Sequence, residues 1–318
     1  MAGRGWTTAD VPGQGGRTAV VTGGNTGLGL EVARVLARAG ARVIIASRDA
    51  EKSKRAVADI ATGIRRAQMN SAQRASGANG TATAQVETVR LDLASLASVR
   101  DAAAELRERC DRIDLLINNA GVMMTPFART EDGFELQVGT NHLGPFAFTG
   151  LLIDRITQRV VTVASIVHRR GAIDIGRFTS DSGYRRSGAY AQSKLANLLF
   201  TYELQRRLEK AGSATIALAA HPGYSTTGLD RYLPSLVQAG ARAAAPLIAQ
   251  GADRGALPIL RAATDPAAQG GQFYGPDGIT QMKGNPKLVK SSARSHDARL
   301  AATLWAESER LTGVTYPV

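Results

Sequence analysis

Short apolar runs and amphipathic stretches alternate from one end of the chain to the other. Arg17–Thr22 is a β-rich run that stops at glycines, after which Leu28, Val32, Val35 and Leu36 fall at three- and four-residue steps. That spacing predicts a helix over Leu28–Ala39, closed by Gly40 as its C-terminal cap. Arg42–Ala46 predicts a second strand, and Asp49 the N-cap of a helix from Ala50 towards Ile60. Further strands are expected at Gln85–Leu91, Ile113–Ile117, Arg159–Ala164, Ala214–Ala219 and Gly270–Tyr274. Helices are expected at Leu96–Arg109, from about Phe134 to Ile156 with a bend near Gly144-Pro145, at Ala191–Lys210 and at Ala298–Leu311. Beyond Pro222-Gly223 the Ala-rich segment reads as helical in pieces to about Ala263. Residues 62–83 carry no clean period and are rich in small and amide residues, which predicts a mobile surface insertion. The Gly-rich residues 1–16 predict a flexible arm.

Alternating β and α elements imply a mostly parallel sheet of about seven strands with helices on both faces. Right-handed crossovers wind it into one open, doubly wound α/β domain over residues 17–318. Ligands of such sheets sit outside the carboxyl ends of the strands, and residues 225–265 are expected to cover the substrate there.

Composition narrows the class. A chain with 44% hydrophobic and 21% charged residues is not largely disordered. No run approaches the ~20 apolar residues of a spanning helix, so no membrane span is expected. A single cysteine, Cys110, excludes an intrachain disulfide, and with no secretory signal in residues 1–16 this predicts a cytoplasmic protein. The net charge of +12 comes mostly from scattered arginines, and aromatics make up only 5% of the chain. Nucleic-acid proteins concentrate charge and interleave aromatics; a solvated basic surface that attracts anionic ligands is the favoured reading, and no nucleic-acid partner is expected.

Thr22-Gly23-Gly24-Asn25-Thr26-Gly27-Leu28-Gly29 lies between the first strand and the first helix. Glycines there permit positive φ and clear side chains from a backbone that must meet a pyrophosphate, while the helix start offers free N–H groups. About twenty residues on, where a dinucleotide's adenosine ribose sits, stand Ser47-Arg48-Asp49. Arg48 can fork onto a 2′-phosphate and Ser47 can donate a further bond. NADP is therefore expected over NAD, with Asp49 arguing weakly the other way unless it serves as a cap. Asp92, before Leu93, either accepts from the adenine amino group or is a turn residue.

Tyr190 and Lys194 are four residues apart and share a helical face. A nearby cation lowers the cost of phenolate, so the pair can exchange a proton with a substrate. Ser165, past the fifth strand, either holds the substrate oxygen or bonds local backbone. Asn141 either anchors a water linking Lys194 to solvent or shapes the bend at Gly144.

The glycine turn, Asn118-Asn119-Ala120-Gly121, Asn141, Ser165, Tyr190-Ala-Gln-Ser-Lys194 and His221-Pro222-Gly223 recur in the order of the short-chain dehydrogenase/reductase family. The resemblance runs from Thr22 to Gly223, and the Tyr190–Phe200 and His221-Pro222-Gly223 stretches are most similar to its retinol-dehydrogenase-like branch. It implies a Rossmann-type fold and a catalytic tetrad of Asn141, Ser165, Tyr190 and Lys194. The implied cofactor bed is Gly23, Asn25, Thr26, Gly27, Leu28, Gly29, Ser47, Arg48, Asp92, Leu93, Asn119, Ala120, Gly121, Tyr190, Lys194, Pro222, Gly223 and Thr227, with Thr226 a near rival of Thr227. Asn118 has a structural role at least as readily as a binding one. The implied activity is NADP(H)-dependent interconversion of an alcohol and a carbonyl on an apolar small molecule, with Leu229, Tyr232 and Leu233 in the substrate wall; a nicotinamide-binding sensor without turnover is the alternative. Two departures stand out: Ala164 replaces the branch's frequent second serine, and the connection Leu151–Gln158 is short.

His142, His168, His221 and His296 lack metal-ligand spacing, so no metal is expected, and solvated or backbone-supporting roles are assigned to all four. Leu195, Leu198, Leu199 and Tyr202 form one stripe of the long helix, with Phe200, Leu204 and Leu208 opposite. Two apolar sides need two packing partners: the sheet and either another subunit, giving a homodimer or homotetramer, or the C-terminal segment.

Overall fold

The β-rich runs and their amphipathic followers assemble, in a computed structural model, into an eight-stranded sheet of order β3-β2-β1-β4-β5-β6-β7-β8. The structure describes residues 5–72, 85–224 and 250–318. Its elements are β1 (Thr18–Thr22), α1 (Gly27–Arg38), β2 (Arg42–Ser47), α2 (Ala50–Ala72), β3 (Val86–Arg90), α3 (Leu96–Arg109) and β4 (Ile113–Asn118). There follow α4 (Leu136–Val138), α5 (Gly144–Leu152), β5 (Ile156–Val163), α6 (Arg186–Lys210), β6 (Ile216–Ala220), α7 (Ala252–Thr264), β7 (Phe273–Pro276), β8 (Pro286–Leu288) and α8 (Ala298–Thr312). The pairs from β3 through to β7 are parallel; β8 runs antiparallel to β7. The strand order reverses between β1 and β4, which opens a crevice at their carboxyl ends.

Period-two alternation divides the core. Val21, Ile45, Ile117 and Leu218 face α1 and α7, while Val20, Ile44, Leu116 and Val160 face α3, α5 and α6. The register Val20↔Ile44 and Val21↔Ile45 keeps each layer continuous across strands.

Several boundaries depart from the sequence expectation. Helix α2 does not stop near Ile60 but continues to Ala72, so residues 62–72 are helix and not loop. Ala, Arg and Gln are strong helix formers, and Ile64, buried a turn beyond Ile60, prolongs the packed face; loss of a clean apolar period there did not mean loss of helix. The rest of the expected insertion, 73–83, lies outside the described residues. The single bent helix expected over 134–156 is three pieces: α4, a π-helical turn at Gly139–Leu143, and α5 with Pro145 in its first turn. Pro145 cannot donate to Asn141, which breaks the regular ladder. A 3-10 turn at Ile153–Arg155 then delivers the chain to β5, which begins at Ile156, three residues ahead of expectation; this accounts for the short connection.

Helix α6 starts at Arg186, five residues before the expected Ala191, and so carries Tyr190 inside its second turn. The eighth strand, three residues beginning at a proline, gave no periodic signal. Within the expected N-terminal arm, Thr7 and Asp10 close a capping box around a 3-10 turn, and Gln14 is fully buried with its N–H on the Ala39 carbonyl (2.7 Å). Asp49 caps α2 by accepting from the Lys52 N–H at 2.9 Å.

Both apolar sides of α6 are covered within one chain. Leu195 and Leu199 meet Leu304 and Ala301 of α8; Leu198 and Tyr202 meet Phe273 and Val289; Phe200, Leu204 and Leu208 join Phe146, Trp305 and Tyr316. The C-terminal segment therefore accounts for the pattern that had left another subunit as an alternative. Among the described residues no helix is long and apolar enough to cross a membrane.

Candidate active site

The carboxyl end of β1 is stitched to that of β4 before any ligand arrives. Thr22 Oγ1 accepts from the N–H groups of Asn119 (2.9 Å) and Ala120 (3.0 Å), and the Asn119 amide donates to the Thr22 carbonyl (2.9 Å). Gly23 and Gly27 hold φ of 65° and 56°, in the left-handed region that favours glycine. A Cβ at Gly29 would overlap the Gly23 carbonyl oxygen and crowd the Asn119 amide, so Gly29 lets α1 begin hard against the turn. Asn25 and Gly27 are half-buried and Thr26 is exposed, with no side-chain cap bond from Thr26 among the described residues. The helix start thus faces the crevice with backbone N–H groups and no competing side chain. This turn fits a dinucleotide's pyrophosphate. Leu28 and Leu93, in contrast, point into the core.

At the end of β2, Arg48 is exposed, its Nη1 4.0 Å from Asp92 Oδ2. Asp92 Oδ1 accepts from the Ala94 N–H (2.9 Å), the work of a turn residue. The Ser47 hydroxyl is engaged locally with Ser53 Oγ at 2.6 Å, so the free donor expected of it is already shared. Asn118 donates to Thr149 Oγ1 (2.9 Å), a structural bond between β4 and α5.

Asn141 is buried in the π-helical turn, where its amide grips Val122 on both backbone groups (2.7 and 2.9 Å) and donates to Ser193 Oγ (3.0 Å). Gly121 runs so close that a Cβ there would stand 2.9 Å from Asn141 Oδ1 and 3.7 Å from Lys194 Nζ. The side chain thus shapes the turn.

Helix α6 brings Tyr190 and Lys194 together under the end of β5. Lys194 Nζ donates to the Val163 carbonyl at 2.9 Å and stands 5.8 Å from the Tyr190 ring centroid. Burial pushes the Tyr190 phenol up to about 12, partly offset by its hydrogen bond with Ser165, and burial lowers Lys194 to about 8. Ser165 itself sits in extended backbone just past β5. Four of the expected groups, Asn141, Ser165, Tyr190 and Lys194, are therefore brought together, with Gly121 against Asn141 and Lys194.

Gly223 (φ 68°) follows Pro222 in a turn clamped from three sides. Its N–H donates to His221 Nδ1 (3.3 Å), Gln250 Nε2 donates to the Pro222 carbonyl (2.7 Å), and the Met282 carbonyl accepts from Tyr224 (2.8 Å). Thr226, Thr227, Leu229, Tyr232 and Leu233, and most of the covering segment expected over 225–265, lie outside the described residues; Ala252–Thr264 of it is α7.

The histidines divide. His168 and His221 support backbone as expected, and exposed His296 bonds Ser291 Oγ at 2.8 Å. His142 departs from the expectation: it is neither solvated nor bonded to backbone but fully enclosed, with Nε2 2.9 Å from Ser308 Oγ. Its neighbours on α8 were out of sight of local sequence. Sequence reasoning also missed Gln137, whose amide ties Met124 N–H (2.8 Å) to Tyr184 Oη (2.8 Å) and the Arg186 carbonyl (3.0 Å). It missed Asn197 too, which shares the Val163 carbonyl with Lys194 (3.2 Å); its place three residues after Lys194 was the available signal.

A doubly wound sheet, a glycine turn at its first crossover and a phenol–ammonium pair at the switch-point crevice define a nicotinamide-dinucleotide-binding oxidoreductase. The family described as short chain dehydrogenase matches residues 17–235. Human retinol dehydrogenase 13 is 38% identical over 313 residues, covering 95% of this chain and 86% of that protein. An uncharacterized protein from Mycobacterium Paratuberculosis shares 45% identity, covering 99% of this chain and 100% of that one, with a TM-score of 0.79. The Pseudomonas aeruginosa RhlG/NADP active-site complex shares 27% identity, covering 84% and 97%, with a TM-score of 0.60. This chain belongs to the short-chain dehydrogenase/reductase family, in its retinol-dehydrogenase-like branch, and acts on alcohol or carbonyl groups of a small molecule.

Proposed function

We propose that the protein interconverts an alcohol and a carbonyl on an apolar small molecule with NADP(H), Tyr190 moving the proton. The observation that carries this is the buried cluster at the end of β5: Tyr190 hydrogen-bonded to Ser165, with the Lys194 ammonium 5.8 Å from its ring. A bound nicotinamide dinucleotide supplies or accepts the hydride. The chain does the rest. Ser165 and Tyr190 converge on one substrate oxygen; the phenol gives its proton to that oxygen as charge develops in reduction and recovers it in oxidation. Lys194, fixed on the Val163 carbonyl, stabilises the phenolate that reduction leaves behind. A water anchored at Asn141 links Lys194 to solvent and returns its proton.

Arg48 supports NADP over NAD. It projects from the end of β2 with 58% of its side chain exposed and only a long contact to Asp92, so its guanidinium is available to fork onto a 2′-phosphate. The likeness to a protein named retinol dehydrogenase supports an apolar substrate.

The test is a panel of retinaldehyde, a linear aldehyde and a polar sugar carbonyl, followed by nicotinamide absorbance with NADPH and with NADH. Turnover of an apolar member with NADPH is expected. Tight NADPH binding with no turnover of any member would favour a sensor.

A further inference from the structure

Ser165 has to hold its hydroxyl on Tyr190, yet it sits at the mouth of a loop and not in a strand. Its hydroxyl accepts from the Val167 N–H (3.4 Å), and its peptide is fixed by the residue three positions on. His168 is fully buried, and its N–H (3.1 Å) and its ring Nδ1 (2.7 Å) both meet the Ser165 carbonyl. A carbonyl only accepts, so Nδ1 carries the ring proton. The other nitrogen, Nε2, then accepts from the Ser292 N–H at 3.0 Å, 124 residues away. The ring is thus a neutral imidazole in one tautomer, wedged edge-on against Phe273 of β7 (centroids 5.7 Å apart). The strap it reaches is itself tied down, since Ser291 Oγ lies 2.8 Å from Tyr202 Oη of α6 and 2.8 Å from Ser295 Oγ.

We propose that His168 is a positioning residue for the reaction: its Nδ1–H fixes the Ser165 peptide so that the Ser165 hydroxyl meets the Tyr190 phenol, and its Nε2 anchors that loop to the C-terminal strap. This rests on the oxidoreductase reading above. His168 touches neither the phenol nor the crevice; it acts through Ser165 alone, and a small misplacement of a catalytic group is enough to cost ~10²-fold in rate.

The proposal is tested by steady-state kinetics with the fastest carbonyl of the panel and NADPH, on His168→Leu, His168→Asn, His168→Gln, Ser165→Ala and the His168→Leu/Ser165→Ala double variant, with thermal melts alongside. His168→Leu is expected to lower kcat about ten- to hundredfold with the NADPH Kd unchanged. His168→Asn, whose amide nitrogen falls where Nδ1 does, is expected to restore most of that loss, and His168→Gln, which reaches only the Nε2 position, is not. In the Ser165→Ala background the leucine substitution should cost nothing more. Independent, multiplying losses in the double variant, equal losses for asparagine and leucine, or an unchanged kcat in His168→Leu would overturn the proposal while leaving the oxidoreductase reading intact. Should His168→Leu fail to fold, the asparagine–glutamine comparison decides alone. A wild-type protein that turns over no carbonyl would remove both.

Discussion

At the scale of single residues, the site is organised by what burial does to two protons. With Tyr190 up at about 12 and Lys194 down at about 8, the ammonium holds the more weakly bound proton of the pair. Carbonyl reduction draws a proton from the fully loaded pair, and alcohol oxidation needs a vacancy in it. Reduction is therefore expected to be flat below about pH 8 and to fall above it, while oxidation rises with pH towards a plateau. Pre-steady-state rates in both directions across that range check this, and an oxidation rate that falls with rising pH contradicts it. Arg48 gives a second residue-scale test. A charge-assisted bond is worth about 1.5–3 kcal/mol, so Arg48→Ala should weaken NADPH binding roughly 10- to 150-fold and leave NADH binding unchanged; equal weakening of both would remove Arg48 from the phosphate. These residues were legible because their signals are local. Tyr190 and Lys194 announce a shared helical face by spacing alone, and Asp49 announces its cap. Nothing in Ser47-Arg48-Asp49 reveals that Ser53, in the first turn of α2, shares the Ser47 hydroxyl. The pairing of His168 with Ser292 crosses 124 positions and has no local trace.

At the scale of elements, the strands were readable to within a few residues because a strand buried on both faces is apolar throughout. Helix ends were harder. Helix α6 begins with Arg186, Ser187, Gly188 and Ala189, which carry no apolar stripe, and α2 runs on past Ile60 on propensity more than on packing. Helix α8 decides what the outer side of α6 meets. Trp305 is 2% exposed, stacks on Phe200 at 5.9 Å and lies under the Arg207 guanidinium at 4.3 Å. Its indole N–H has no hydrogen-bond partner among the described residues, so removing the ring costs packing and no buried bond. Trp305→Ala is expected to destabilise the protein by about 3–5 kcal/mol, read from urea unfolding, with NADPH affinity retained. A change of about 0.5 kcal/mol or less, the range of a surface substitution, would mean that α8 does not seal this face.

At the scale of the whole molecule, three buried histidines on both flanks of the site couple folding to protons. Burial holds His142 and His221 down at about 3 and His168 at about 4, against 6.5 when free. The unfolded chain thus binds protons that the fold refuses. Their contribution is complete above the free value and is lost as pH falls towards the folded values, at about 1.4 kcal/mol per histidine per pH unit. Unfolding free energies measured from about pH 7.5 down to 5 should decline with a slope of up to three protons; a flat profile would mean that none of the three rings is held neutral by burial. The same packing of the C-terminal half, with His168, the 289–296 strap and α8 set around α6, holds the phenol and the ammonium in place at the end of β5. The most direct measurement is turnover and NADPH binding by Tyr190→Phe, which removes one oxygen and leaves the helix unchanged. The expected result is a fall in kcat of about 10²- to 10⁴-fold with the dissociation constant for NADPH unaltered. Wild-type turnover in that variant would contradict the assignment of the proton to Tyr190.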